Sequence, residues 1–97
     1  MPLRIDYAAR YFPQLEDVHA RTAADNPAAA TRIVDRIKKA VERLLDFPAL
    51  GRPGRVDGTR ELVVPGAPYI VPYRLVGDGV QILALIHNAQ RWPDRFP

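Results

Sequence analysis

The chain has 97 residues, of which 47% are apolar and 26% are charged, so we expect one globular domain with a modest core and no deep enclosed pocket. It contains no cysteine and no serine, which excludes disulfides, thiolate metal sites and a serine–histidine–aspartate triad. The net charge is +3 and all but two of the 14 basic residues are arginines, a composition that suits an anionic partner.

Membrane insertion and metal binding are not expected from this sequence. No apolar run approaches the roughly 20 residues that a membrane span requires. The residues after Pro2 show no signal-peptide pattern, so we expect a cytoplasmic protein. The two histidines, His19 and His87, lie far apart in the chain. We therefore predict no metal site and no cofactor.

The first half of the chain predicts a strand followed by two helices. Residues 3–7 alternate between apolar and polar side chains, as a half-buried strand does. A helix is predicted from about residue 9 or 13 to residue 24. The break at 25–27 offers Asp25 or Asn26 as a helix cap, with Pro27 in the first turn. Apolar residues at offsets of three and four then predict a long amphipathic helix over residues 28–46.

The second half predicts a loop and three strands. Three glycines and two prolines predict an irregular loop over residues 48–58. The strands are predicted over residues 59–64, 69–76 and 80–87, with turns at 65–68 and 77–79. Pro72 lies inside the second of these strands and cannot donate to a ladder, so we expect a bulge or an unpaired stretch there.

This element order predicts a single α+β domain over residues 1–97. We expect an N-terminal strand and an antiparallel two-helix hairpin that packs on one face of a mostly antiparallel, twisted sheet of about four strands. The other face of the sheet should be concave, solvated or occupied by a partner. Arginines on the glycine-rich loop should be exposed, because a buried unpaired guanidinium is too costly.

Several segments together resemble the RelE/ParE family of bacterial toxins. The resemblance rests on Asp-Asn-Pro before an alanine-rich helix, on GRPGRVDGTREL, on YIVPYR and on HNAQRWP, and it spans almost the whole chain. It implies a toxin that a cognate antitoxin holds inactive in a hetero-oligomer. Such antitoxins, ParD-like or similar, are typically acidic, with a disordered segment that folds on binding.

The resemblance leaves two targets open, and the first is messenger RNA on the ribosome. A metal-independent, RelE-like nuclease needs a proton acceptor, a proton donor and cations around one phosphate. The candidate catalytic residues for this reading are Arg60, Glu61, Arg74, His87 and Arg91. Ile70 stands where RelE-like nucleases carry a catalytic arginine, and the tail has no tyrosine.

The second target is DNA gyrase, which a ParE-like toxin binds and poisons, and we favour it because it requires no catalytic set. The predicted target-binding residues are Arg52, Arg55, Arg60, Arg74, Arg91 and Trp92. The predicted antitoxin-binding residues are Leu15, Val18, Ile33, Ile37 and Val41 on the two helices. A third possibility is a toxin-like domain that has lost activity and acts only as a binding module.

Overall fold

A computed structural model describes residues 3–96, in which two helices pack against a mixed sheet. The strands are β1 (Arg4–Tyr7), β2 (Arg52–Pro53), β3 (Arg60–Val63), β4 (Tyr69–Val76), β5 (Gly79–Ile82) and β6 (Ile86–His87). The helices are α1 (Tyr11–Asp25) and α2 (Pro27–Glu42), and a 3-10 turn (Arg43–Leu45) follows α2. The predicted α+β class and element order are confirmed.

Six strands form the sheet, in the order β1-β5-β4-β3-β2, and β6 pairs with β4 beyond the end of β5. Only β1 runs parallel to its neighbour, so the sheet is mostly antiparallel, as predicted. The estimate of about four strands omitted the two-residue strand β2 and included β6 in the strand predicted over residues 80–87. The prediction of a wholly irregular loop is wrong at β2, because Arg52 and Pro53 pair with Glu61 and Arg60.

The two helices form a hairpin joined by Asn26 alone. The Asn26 side chain accepts a hydrogen bond from the backbone N–H of Ala29 at 3.1 Å, and Pro27 opens α2. This confirms the predicted cap and the predicted proline position. The second helix ends at Glu42 rather than at Asp46, since its last turn tightens into the 3-10 conformation.

A bulge lies opposite Pro72, as its missing N–H predicts. The first part of the third predicted strand pairs with β4 up to Ile82, and the second part pairs from Ile86. Between these pairs three residues, 83–85, lie opposite two residues of β4. Leu83 N–H donates to the Pro72 carbonyl at 2.9 Å. The prediction of one continuous strand over residues 80–87 is therefore wrong, because the bulge divides it.

The helices cover one face of the sheet and enclose the main core. Apolar side chains from α1, α2 and the strands meet there. Its buried members are Tyr11, Leu15, Val18, Ile37, Ala40, Val41, Leu44, Leu62, Val64, Val71, Tyr73, Val80, Ile82 and Leu85. We call this side of the sheet the helix face.

The opposite side, which we call the tail face, carries no helix among residues 3–96. A smaller apolar cluster lies there, formed by Val56, Leu83, Ala84, Ile86 and Phe96, with Trp92 packed against it. The expectation that this face is open or held for a partner is thus wrong in part. The chain's own C-terminal segment, residues 88–96, covers some of it, and we call this segment the tail.

Candidate binding surface

Glu61 lies at the centre of a charged cluster where β2, β3 and the glycine-rich loop meet. Its side chain is only 2% exposed. Arg52 donates to Glu61 Oε1 from Nε and Nη2, at 3.1 and 2.9 Å. Arg55 donates to Oε2 from its backbone N and from Nε, at 2.7 and 3.0 Å. Two guanidiniums therefore share one carboxylate, and the group keeps one positive charge.

This arrangement keeps the Glu61 carboxyl group ionised. Burial alone would raise the pKa of its carboxyl group. Hydrogen bonds from the side chain and backbone of Arg55, and then from Arg52, outweigh burial and lower the pKa from its ordinary 4.5 to about 2. Glu61 thus holds the loop in place by ion pairing.

Trp92 joins the tail to the same cluster. The Arg55 guanidinium carbon lies 3.8 Å from the centre of the Trp92 ring, within cation–π range. Trp92 in turn meets Phe96 edge to face, with ring centres 6.5 Å apart. Arg74 Nη2 donates to the Phe96 carbonyl at 3.5 Å. We call Arg52, Arg55, Glu61 and Trp92 the arginine–tryptophan cluster, and it links the loop, the sheet and the tail.

Arg60 points the other way and supports the loop from the helix face. Its Nη1 donates to the Gly51 carbonyl at 2.8 Å and to the Ala49 carbonyl at 3.4 Å. The Tyr73 hydroxyl donates to the Pro48 carbonyl at 2.7 Å and accepts from Gly51 N–H at 2.8 Å. These contacts give Arg60 a positioning role, although the sequence placed it among the target-binding arginines.

His87 lies at the far end of the sheet, beside α1. Its ring meets Tyr69 edge to face at 5.3 Å, and its Nδ1 accepts a hydrogen bond from Ala89 N–H at 3.0 Å. An open groove of about 560 Å³ separates it from Asp17 and Arg21 on α1. Arg91 follows on the tail and is exposed. His87 is therefore an end-of-strand residue with a local hydrogen bond.

The candidate catalytic residues do not converge on one point. Arg60 and His87 point to the helix face, because their partners on β4 do so, whereas Glu61 and Arg74 point to the tail face. His87 pairs with Tyr69 and Glu61 pairs with Pro72, so their rungs are three residue steps apart on β4, a distance of about 10 Å along the strand. No single phosphate would contact this set.

The predicted antitoxin-binding residues belong to the chain's own core. Leu15, Val18, Ile37 and Val41 are buried between the helices and the sheet, and Ile33 is partly buried beside them. Burial in the chain's own core disfavours these four as a contact surface, and their contact with an antitoxin stays a prediction. Helical periodicity identifies an apolar face, but that face is the one a small domain uses for its own core.

An exposed apolar surface lies elsewhere, and the sequence analysis missed it. Leu45, Phe47, Leu50 and Val63 are all more than 40% exposed. Leu50 and Val63 line a groove of about 290 Å³ beside β3, together with Ala40, Arg43, Leu62 and Pro65. The signal in the sequence is the run LLDFPAL, whose apolar residues continue past the end of the helix into a loop. Exposed apolar patches of this kind mark sites of protein contact.

Metal binding and membrane crossing find no support within residues 3–96. No group of three or more His, Cys, Asp or Glu side chains in this part of the chain is placed to hold a metal ion. Neither helix of this part combines the length and the apolar character needed to cross a membrane.

Comparisons with known proteins relate this chain to a family model, to a relative of similar sequence and to a solved structure. The family model of the "ParE toxin of type II toxin-antitoxin system, parDE" matches residues 5–92. "Putative toxin Y4kP" of Sinorhizobium fredii (strain NBRC 101917 / NGR234) is 47% identical over 90 residues, covering 93% of each chain. A solved structure titled "Chromosomal ParDE TA system from P. aeruginosa" superposes with a TM-score of 0.80 at 24% identity, over 88% of this chain and 95% of that one. At this identity the structural match bears on the fold alone.

Proposed function

Because this chain belongs to the ParE toxin family of type II toxin–antitoxin systems, we propose that it arrests growth by binding and inhibiting DNA gyrase and that a cognate antitoxin neutralises it. The single observation that carries the choice of gyrase over messenger RNA is the division of the candidate catalytic residues between the two faces of the sheet. A gyrase target would place the toxin in the cytoplasm.

Glu61 and His87 are poorly placed for RNA cleavage. A general base works best when its pKa lies near the working pH. The pKa of Glu61 is lowered to about 2, and both of its oxygens already accept from arginines. His87 lies on the other face of the sheet, so a proton could not pass between the two across one phosphate. This favours a surface that binds over one that cleaves.

The tail face offers the cationic surface for a large target. Arg52 and Arg55 are about half exposed even though both pair with Glu61. Arg91 and Arg95 extend the positive charge along the tail. Trp92 adds an aromatic side chain at the centre, and arginine and tryptophan are the residues most enriched in binding hot spots. We propose this face, without Arg60, as the gyrase contact.

The groove beside β3 suits the antitoxin better than the buried helix residues do. Leu50 and Val63 present apolar side chains, while Arg43 and Arg52 place positive charge in the lining. An acidic, amphipathic segment would bury its apolar side chains in this groove and set its carboxylates against the arginines. A disordered segment that folds on binding gains affinity in this way.

A supercoiling assay with purified gyrase tests the proposed target. We expect the chain to inhibit supercoiling, and Arg91→Glu to weaken this inhibition at least tenfold. Arg32→Glu on the exposed surface of α2 is the matched control and should leave inhibition intact. Two results together would overturn this proposal in favour of a messenger RNA nuclease. Gyrase would be unaffected by the chain, and the chain would cut messenger RNA at sites that His87→Ala or Arg74→Ala no longer cut.

The antitoxin groove is tested separately with Leu50→Glu. This variant should still inhibit gyrase, because Leu50 is not among the residues proposed to contact gyrase, but antitoxin should no longer relieve the inhibition. Continued relief by antitoxin at the wild-type concentration would remove the groove from the proposal and leave the gyrase assignment untouched.

A further inference from the structure

The strand β1 forms an outer edge of the sheet, since β5 is its one strand neighbour among residues 3–96. Ala8 N–H donates to the Ile82 carbonyl at 2.8 Å, which fixes the side of the strand that faces β5. Backbone groups alternate along a strand, so the N–H and C=O groups of Leu3, Ile5 and Tyr7 point away from β5. These groups are a template for another strand.

The side chains of this edge are complementary to their own copy. Leu3, Ile5 and Tyr7 lie on the helix face, where Ile5 packs against the main core. Arg4 and Asp6 lie on the opposite face, 73% and 62% exposed, with Arg4 Nε 3.2 Å from Asp6 Oδ2. The two charges have opposite sign and stand on either side of Ile5.

From this we propose that β1 pairs with β1 of a second copy of the chain, antiparallel about a two-fold axis at Ile5. Leu3 then lies opposite the partner's Tyr7, and Arg4 lies opposite the partner's Asp6. The outward backbone groups of Leu3, Ile5 and Tyr7 fall on the hydrogen-bonded rungs of this register. The charged pairs fall on the intervening rungs, where side chains approach most closely. The two sheets become one, and the interface is isologous.

Two features indicate that this edge pairs with a second copy of the chain and is not built to prevent pairing. A protected edge commonly carries lysine, proline, a bulge or an inward-pointing charge. The strand from Arg4 to Tyr7 carries one charge of each sign, and a two-fold axis converts them into two ion pairs. Beside the strand end, the exposed ring of Phe12 lies 4.9 Å from that of Tyr7 and adds apolar surface. The contact remains small, so we expect micromolar or weaker affinity.

Sedimentation velocity of the purified chain tests this proposal. We expect the weight-average mass to rise toward the dimer between about 5 and about 500 µM, the range in which small interfaces associate. Arg4→Glu and Asp6→Arg should each weaken self-association at least tenfold, because each sets like charges opposite one another. Each variant loses one exposed ion pair within the monomer, which contributes little to folding.

An equimolar mixture of the two variants provides the decisive control. Arg4→Glu chains carry only acidic groups on this edge and Asp6→Arg chains carry only basic ones, so the mixture should form a heterodimer at least as tight as the wild-type dimer. Backbone amides of Ile5 and Tyr7 should exchange more slowly at high concentration, whereas the outward amide of Val63 on β3 should not change. A wild-type chain that stays monomeric throughout, or variants that associate as the wild type does, would overturn the proposal.

Discussion

The two faces of the sheet are stabilised by different forces. On the helix face, fourteen buried side chains from both helices and the strands form one continuous apolar core. On the tail face, a smaller apolar cluster is joined to a buried carboxylate, two half-exposed arginines and a stacked tryptophan. Burial of apolar area depends little on pH, whereas ion pairs depend on protonation and are screened by salt. One face therefore maintains the fold, and the other holds the proposed binding surface in a defined shape.

The largest effect should come from a cavity in the helix face. Ile37 is fully buried at the centre of the main core. We expect Ile37→Ala to lower the free energy of unfolding by roughly 2 to 5 kcal/mol, as comparable truncations do. Leu75→Ala, at an exposed position of β4, is the control and should change it by less than about 0.5 kcal/mol. Urea titration followed by circular dichroism measures both, and equal effects would contradict the assignment of the core to the helix face.

The second prediction concerns acid and the tail face. The pKa of Glu61 is about 2 in the folded chain and 4.5 in its ordinary state, so its contribution is complete above pH 4.5 and is lost as the pH falls toward 2. This difference corresponds to about 3 kcal/mol. We expect the free energy of unfolding of Glu61→Gln to be lower than that of the wild type by about 3 kcal/mol at pH 7. The two free energies should become equal near pH 2. Chemical unfolding at several pH values measures the convergence.

Asp35→Asn provides the comparison for that experiment. Asp35 pairs with Lys39 at 2.9 Å on the exposed surface of α2, where ion pairs contribute little. We therefore expect Asp35→Asn to change the free energy of unfolding by less than about 0.5 kcal/mol at pH 7. If Glu61→Gln differed from the wild type by the same amount at pH 7 and at pH 2, the carboxylate would not be the acid-sensitive element of the tail face.

The fold could be predicted from local sequence patterns. The candidate surface could not, because it depends on contacts between residues that are far apart in the chain. Asn26 and Pro27 mark the helix boundary through local chemistry, and Pro72 marks the bulge because it lacks an N–H. By contrast, the partners of Glu61 follow from β2, a two-residue strand with no periodic signal. Nothing local distinguishes Arg60, which supports the loop from the helix face, from Arg52, which faces the tail.

The antitoxin contact could not be predicted from the apolar helix residues for the same reason. Periodicity identified Ile37 and Val41 as one face, but it does not say whether a sheet or a partner covers that face. The three-dimensional contacts decide this, and they bury both side chains against the sheet. The exposed positions Leu50 and Val63 belong to no helical pattern. Their shared groove is formed only when the loop and β3 lie side by side.

The smallest predicted effect concerns the attachment of the tail by the stacked pair of Arg55 and Trp92. Arg55→Lys keeps the positive charge but loses the planar group that lies over the indole and the geometry of its contacts with Glu61. We expect a loss of about 1 kcal/mol in stability, the scale of one cation–π contact. Trp92 is the only tryptophan, so its fluorescence reports on the tail directly.

Its emission should shift to longer wavelength in Arg55→Lys, while the far-ultraviolet circular dichroism stays that of the wild type. Arg21→Lys on the exposed surface of α1 is the control and should leave the emission unchanged. If the emission shifted only when the whole chain unfolds, the tail would detach from the sheet together with the main core. The tail face would then be no less stable than the helix face.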